Sequence, residues 1–549
     1  MIRYETDVII IGGGATGTGI LRDCSLRGIE AILVEKNDIA SGTTGRNHGL
    51  LHSGARYAVK DIESASECIS ENKILKNIAN HCIENTGGLF VTLKEDDPSY
   101  HDKLMRGCIN ANIDCEEVSL KNAFKIEPNL NKQIVRCLKV PDGTIDPFRL
   151  AAANVVDAVE KGGRILTHTE VLSLVREQDR IIGVKCLDKN GENIEIYGKI
   201  TVNASGVWGQ RICKTAGIGI KMFPSKGSMV IIDYRVNNVV INRCRMPSDG
   251  DIVVPGDTVS LIGTTSKKIP YEDIDDLIVD DDEIDILISD GEKLIPNISK
   301  TRVLRAYCGV RPLIAISQDV EGREITRGIV LIDHKQHDGA KGFITIAGGK
   351  LMTYRLMAEM TTNIIAEKLS VKTKCTTHLH PLPGSEKRVH DKKKTKHFNW
   401  ISESIFGSTQ YRHGERVYQI LKKDMKNYGL ICECEMVTAG EVEYALNNLF
   451  VKDIIDLRRR TRVGMGPCQG ELCSYRAAGL FTEIANVAGD EAAKMLIAFL
   501  EERWKGIKPI LWGDSLREIE FTYWIYQGLF CLENSISKDE DDEEDLNNA

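Results

Sequence analysis

"TDVIIIGGGATGTGILRDCSLRGIEAILVEKN", residues 6–37, decides the fold. A run of β-branched residues ends in glycines, a helix-compatible stretch follows, and a second apolar run closes on Glu35. The segment therefore reads as strand, glycine turn, helix, strand. Gly12, Gly14 and Gly17 stand as G-x-G-x-x-G directly after the first strand. Gly12 permits the tight turn, Gly14 lets a pyrophosphate approach the backbone at the positive helix N-terminus, and Gly17 lets helix and sheet pack closely. Glu35 follows Gly17 by eighteen residues and ends the second strand, where a carboxylate accepts hydrogen bonds from ribose hydroxyls. The expectation is a dinucleotide cradle. Its place early in the chain, Arg22 and Arg27 in the helix, and "NDIASGTTGRNHGLLHSGARY" after it favour FAD over NAD. "KITVNASGVWGQRI", a strand followed by small residues from Asn203 to Trp208, reads as the return of the chain to the nucleotide, which makes one long discontinuous flavin domain.

At 549 residues the chain exceeds what one hydrophobic core supports, so two to four domains are expected. A formal net charge of −8 gives no electrostatic case for nucleic acid. No stretch approaches the roughly 20 apolar residues of a membrane span, and the acidic, glycine-terminated start does not read as an export signal. A cytoplasmic location is expected, in which the sixteen cysteines are reduced and mostly small core residues.

Four short segments place basic residues among apolar residues and glycines: "HSGARY" (His52, Arg56, Tyr57), "YCGVRPL" (Arg311), "ITRG" (Arg327) and "AGGKLMTYR" (Lys350, Arg355). Each alone reads as a surface charge. Arg311 before a proline and Lys350 after two glycines are placed by fixed backbone, and several cations converging on one flavin suit an anionic substrate. In this order and spacing the segments, with the N-terminal fingerprint, resemble the FAD-dependent glycerol-3-phosphate dehydrogenases over residues 1–370. The resemblance implies oxidation of sn-glycerol 3-phosphate to dihydroxyacetone phosphate. It implies His52, Arg311 and Lys350 as catalytic residues, with His52 the candidate base. Arg56, Arg311, Arg327 and Lys350 would bind substrate, with Arg327 on the phosphate. Gly12, Gly14, Gly17, Glu35, Lys36, Ser41, Thr43, Arg46 and Gly349 would contact FAD. "TTGRNHG" at 43–49 replaces a serine-rich run of many relatives, which puts Arg46 near the pyrophosphate or ring.

Late in the chain, Cys432, Cys434, Cys468 and Cys473 form C-x-C-x33-C-x4-C, the spacing of a four-thiolate site. Zinc and an iron-sulfur cluster both fit four thiolates. Thr438 and Glu441 stand in capping-box spacing, so a helix should start after the first pair, and another near Cys473. The pattern resembles the small [2Fe-2S] domains related to bacterioferritin-associated ferredoxin. Dehydrogenases that combine both parts imply two partners in the same complex, a second flavoprotein and an iron-sulfur protein. Through them electrons would reach membrane quinone in anaerobic respiration, and the chain would sit peripherally on the inner face of the membrane. The alternative is a flavin-dependent glycerol-3-phosphate oxidase with a structural zinc.

The fold class expected is α/β: a Rossmann-like FAD-binding domain with an interleaved α+β substrate domain (1–370), a linker (371–398), and a small helical [2Fe-2S]-type domain (399–485). A helical segment (486–535) and a disordered acidic tail (536–549) follow. Residues 272–292 read as an exposed amphipathic helix with a charged start. "FTYWIYQGLFCL" at 521–532 suits core packing or a partner interface.

Overall fold

The computed structural model describes residues 2–315, 328–386, 403–421, 425–529 and 532. The expected tail and the second half of the linker lie outside them. The opening apolar run becomes the strand Ile2–Ile11, flanked in parallel by Ala31–Val34 on one side and Asn193–Asn203 on the other. Arg164–Leu166 extends the sheet beyond Ala31–Val34, and Phe343–Gly348 pairs in parallel with Asn193–Asn203. Strands about 340 residues apart in sequence thus share one sheet, since parallel strands need crossover connections. Helices Ala15–Leu26, Pro147–Glu160 and Tyr354–Leu369 cover one face, burying Ile20, Leu21 and Ile365 against Val8, Ile10 and Val202.

A second, largely antiparallel sheet carries Ser225–Ile232 paired with both Val259–Gly263 and Val303–Arg311. Gly88–Leu93 and Ile134–Val140 complete its far side, so both sheets draw strands from interleaved stretches of the chain. The acidic segment forms the helix Asp281–Leu294, shorter than the sequence suggests, with Tyr271–Ile274 a separate single turn. Asp280 and Glu283 make a reciprocal capping box at its start, and Ile284, Leu287 and Leu294 face the second sheet's core.

The late helices share one core. Val442, Ala445, Leu457, Ala477 and Phe481 pack with Leu496 and Phe499, so the helix Gly489–Ile507 belongs physically with the cysteine segment. Phe499 lies against the backbones of Gly464 and Gly470, both at positive φ, where a Cβ would approach its ring to 2.6 and 2.5 Å. Among the described residues no helix is long and apolar enough to cross a membrane.

The late unit is fastened to the first sheet by buried charge. Asp38, just past the strand carrying Glu35, takes Arg459 at 3.0 Å and Arg460, and the Asp38 and Arg460 side chains are each 1% exposed. His168 pairs with Asp456 at 3.0 Å, and Lys452 donates to the Thr167 carbonyl at 3.1 Å. Burial alone would raise the Asp38 pKa, but Arg460 and Arg459 beside it hold the carboxyl below its usual value. Its contribution to stability is therefore fully present above the ordinary carboxylate range and is lost as the pH falls through the lowered folded value. Asp38→Asn leaves buried arginine charge uncompensated and should cost about 3 kcal/mol, read by urea unfolding of the full chain at neutral pH. The gap to wild type should close in acid.

Candidate functional site

At the end of Ile2–Ile11 the chain turns at Gly12, with φ +111°, and enters the helix at Ala15. A Cβ on Gly12 would lie 2.6 Å from the Ala204 carbonyl oxygen, and one on Gly17 would lie 1.9 Å from that of Gly12. Gly17 thus serves the turn itself more than packing against the sheet. Gly14 is open apart from the Thr44 hydroxyl at 3.1 Å. That hydroxyl accepts the Ala15 N–H at 3.0 Å, so a residue from a distant loop caps the helix that Gly14 cannot cap. Thr44 carried no sequence signal, because the cap lies 29 residues away.

Glu35 accepts from the Gly13 N–H at 2.6 Å and the Asn37 N–H at 2.9 Å, and each of its oxygens keeps a second lone pair for a ribose hydroxyl. Burial, the largest influence, raises its pKa. Lys36 stands exposed at the mouth of the cleft and is paired with Glu170 at 2.9 Å.

These residues line a cleft of about 760 Å³. Gly12, Gly14, Glu35, Lys36, Ser41, Thr43, Arg46 and Gly349 of the expected FAD contacts all line it, and so do Ser205 and Trp208 from the predicted return segment. Gly17 lies behind it, within the helix. The Thr43 hydroxyl donates to the Val310 carbonyl at 2.7 Å, tying the loop to the strand that ends in Arg311. Gly349 is held at φ +67°, and its N–H donates to Gly328 at 3.0 Å.

His52, Arg311 and Lys350 line the same cleft. The Arg311 guanidinium donates to the Thr264 hydroxyl at 2.9 Å and to the carbonyls of Thr265 and Lys226 at 3.0 and 3.2 Å. It lies on Gly227, where a Cβ would stand 2.7 Å from it. Lys350 extends its ammonium over the Tyr57 ring at 4.6 Å, and Tyr57 in turn meets His52 edge-on.

Two cations are used differently from the sequence expectation. Arg56 is not among the lining residues: it pairs with the fully buried Asp251 at 3.0 Å and donates to Ser248. Arg355 is buried with Glu71 at 2.6 Å and Glu359 at 2.6 Å, away from the cleft. Arg327 lies outside the described residues.

His48 is the residue the sequence reading passed over. Burial, then Arg311 and Arg56, push its pKa down to about 3. Its Nδ1 accepts the Leu50 N–H at 3.1 Å, which leaves the proton on Nε2, and its ring meets His52 at 5.6 Å. His48 is therefore a neutral hydrogen-bond donor at working pH.

The four late cysteines converge. Cys432 and Cys434 ride a hairpin of Leu430–Cys432 against Val437–Thr438, and Cys473 immediately precedes the helix Ser474–Ala485. The Cys432 thiol hydrogen-bonds to those of Cys434 and Cys473, and Cys468 to the same two. Those contacts, helped by N–H groups of Glu435 and Gly464 at Cys432 and of Leu472 and Gly470 at Cys468, hold both groups below the usual thiol range. The same thiol contacts push Cys434 and Cys473 up. The four sulfurs thus lie together as one set with backbone N–H groups aimed at Cys432 and Cys468, a donor set that fits an iron-sulfur centre. Thr438 caps the helix Ala439–Asn448 through the Glu441 N–H, as expected, but the Glu441 side chain does not return to complete the box. Its buried carboxylate takes Arg412 at 2.8 Å and His413 at 2.9 Å, and Arg412 also donates to the carbonyls of Glu435 and Met436. Arg412 thereby fixes the turn after Cys434.

Residues 7–355 match the FAD dependent oxidoreductase family and residues 430–483 the BFD-like [2Fe-2S] binding domain. The chain is thus an FAD-dependent oxidoreductase with a [2Fe-2S] domain, and this match decides between iron-sulfur and zinc where spacing left both open. It is 55% identical to a subunit of the anaerobic glycerol-3-phosphate dehydrogenase of Escherichia coli (strain K12), over 96% of this chain and 97% of that one. It is 52% identical to the Haemophilus influenzae protein of the same name, over 98% and 95%. The chain belongs to this family of anaerobic glycerol-3-phosphate dehydrogenase subunits. Its fold matches the glycerol-3-phosphate dehydrogenase of Bacillus halodurans, solved with FAD, at TM-score 0.67 and 23% identity, over 93% of this chain and 97% of that one.

Gly17→Ala should yield flavin-free protein, because its methyl group would collide with the Gly12 carbonyl. Cys468→Ser should lose iron and acid-labile sulfide but keep FAD. Flavin absorbance and iron analysis of the two purified variants check both.

Proposed function

We propose that the protein oxidises sn-glycerol 3-phosphate to dihydroxyacetone phosphate. Electrons would leave through the centre held by Cys432, Cys434, Cys468 and Cys473 to a second flavoprotein and an iron-sulfur protein of the same complex, and so to membrane quinone in anaerobic respiration. The carrying observation is one continuous cleft lined both by the dinucleotide cradle and by His52, Arg311 and Lys350. The names of the relatives supply the substrate. FAD, when bound, supplies a two-electron acceptor, and the [2Fe-2S] centre a one-electron carrier.

In this reading Gly12 and Gly14 leave room for the cofactor's phosphates, Glu35 takes the ribose, and Ser41, Thr43, Arg46, Lys36 and Gly349 line the remainder. Arg327 and Arg311 bind the substrate phosphate, for which a guanidinium's planar fork is suited. His52 takes the proton of the C2 hydroxyl, and Lys350 stabilises the negative charge developing on that oxygen. The neutral His48 donates a hydrogen bond beside them. Arg56 acts indirectly, holding the segment that bears His52 and Tyr57 against Asp251.

Partner docking draws support from the aromatic end. Thr522 and Tyr526 fasten the helix Gly513–Trp524 to the cysteine loop, donating to the Glu471 carboxylate and carbonyl at 2.7 Å each. The other face leaves Phe521, Tyr523 and Trp524 exposed, with Leu472 and Tyr475 beside the cysteines. Core packing holds for Thr522 and Tyr526, and the exposed aromatics support the partner-interface reading. Large exposed aromatics next to an electron centre suit the middle of a protein interface. Peripheral membrane attachment would then come through the partners.

Anaerobically purified chain should carry roughly two irons per FAD, and its flavin absorbance should bleach on adding sn-glycerol 3-phosphate. Arg327→Ala should raise the apparent substrate constant with flavin retained, and Lys350→Ala and His52→Asn should each lower kcat by roughly a hundredfold or more. Unchanged kinetics in Arg327→Ala would remove the phosphate assignment.

A further inference from the structure

Behind the loop 40–49 lies a second cavity, of about 570 Å³. Ser41, Arg46, Asn47 and His48 line both cavities, so the loop is a partition with the cofactor cleft on one side. The far wall comes from the cysteine segment, through Arg458, Met465 and Gln469, and from Lys505 and Lys508 after it.

Its cations fall into two groups. Arg459 and Arg462 are neutralised, the first by Asp38 at 3.0 Å and the second by Asp257 at 2.6 Å and Glu435 at 2.9 Å. Arg458 is not: its side chain makes no hydrogen bond or ion pair among the described residues, and its Nε is buried without a partner. It is 9% exposed, and burial, followed by the repulsion of Arg305, pushes its pKa down to about 9. Arg305 is 7% exposed and meets only Glu502, at 3.8 Å, among the described residues. Asp146, Asp257, Asp281 and Glu502 also line the cavity. Among the described residues, however, only Glu502 pairs with either guanidinium, at 3.8 Å from Arg305, while Arg458 lies over the Phe499 ring at 5.8 Å. Positive charge buried with so little compensation is costly unless an anion completes it.

Phe148, Tyr307, Leu261 and Val279 supply apolar and aromatic surface. The volume is that of a small-molecule site. We propose that this cavity binds a phosphate-bearing ligand of mononucleotide size, its phosphate on Arg305, Arg458 and Lys505 and its ring among the aromatic residues. Spanning the partition loop and the cysteine segment, such a ligand fastens the two together.

The test is calorimetric titration of the FAD-loaded full-length protein with inorganic phosphate and with AMP, against potassium chloride at matched ionic strength. AMP binding more tightly than phosphate supports the ring-bearing ligand, and phosphate binding without AMP overturns it. Either affinity should fall roughly tenfold or more in Arg458→Met, as expected on losing a charge-assisted contact. It should fall also in Lys505→Ala, an exposed position that does not threaten folding, and stay unchanged in Lys350→Ala. Equal loss in Lys350→Ala would place the anion in the substrate cleft and overturn the proposal. So would binding no tighter than chloride, or binding unaffected in Arg458→Met and Lys505→Ala. If Arg458→Met does not fold, Lys505→Ala decides. Loss of glycerol-3-phosphate oxidation would not bear on these outcomes, so this site and the proposed activity stand or fall separately.

Discussion

The buried contact of Asp38 with Arg459 and Arg460 is the constraint on which the arrangement of the molecule depends. Asp38 lies three residues beyond Glu35, on the loop that leaves the nucleotide strand, and the arginines lie on the helix Ile454–Thr461 between the two cysteine pairs. A charge pair sealed from water has poor alternatives: either partner alone would be buried without compensation. The pair therefore fixes one geometry. His168 with Asp456 and Arg462 with Asp257 repeat the device nearby, so the cysteine unit is held against the flavin-binding body by several desolvated contacts.

Around that junction the fate of each arginine separates structure from site. Arg22, Arg355, Arg412 and Arg460 are all buried, and all are spent on carboxylates or backbone carbonyls. Arg311 donates to strand carbonyls and hydroxyls at the wall of the cleft, a rigid mount for a cation facing an anion. Arg458 and Arg305 are buried with little or no compensation, which marks the second cavity as unfinished by the protein alone. Charge accounting of this kind distinguishes residues that look equivalent in sequence.

The nucleotide cradle was legible because its parts are local. Glycines at fixed offsets, a β-branched run before them and a carboxylate after the next strand need only backbone geometry to be read, and the cleft forms where they predict it. The cysteine spacing and the Thr438 cap were legible for the same reason. The ion pairs of Arg56 and Arg355 gave no sequence signal, because their carboxylate partners, Asp251 and Glu71, lie 195 and 284 residues away in sequence. His48 and Thr44 gave no signal because their roles come from burial and from a distant helix end.

The sequence by itself determined the classes of chemistry: a dinucleotide turn, a four-thiolate set and a group of basic residues near glycines. Motifs of a few residues carry that information, since φ/ψ restrictions and ligand spacing act over short range. Only the tertiary structure decided which cations remain available to a ligand and how the cysteine unit sits against the cofactor cleft. The physical reason is that a charge's role is set by desolvation and by whichever opposite charge the fold brings within a few ångströms, and neither is a property of neighbours in sequence.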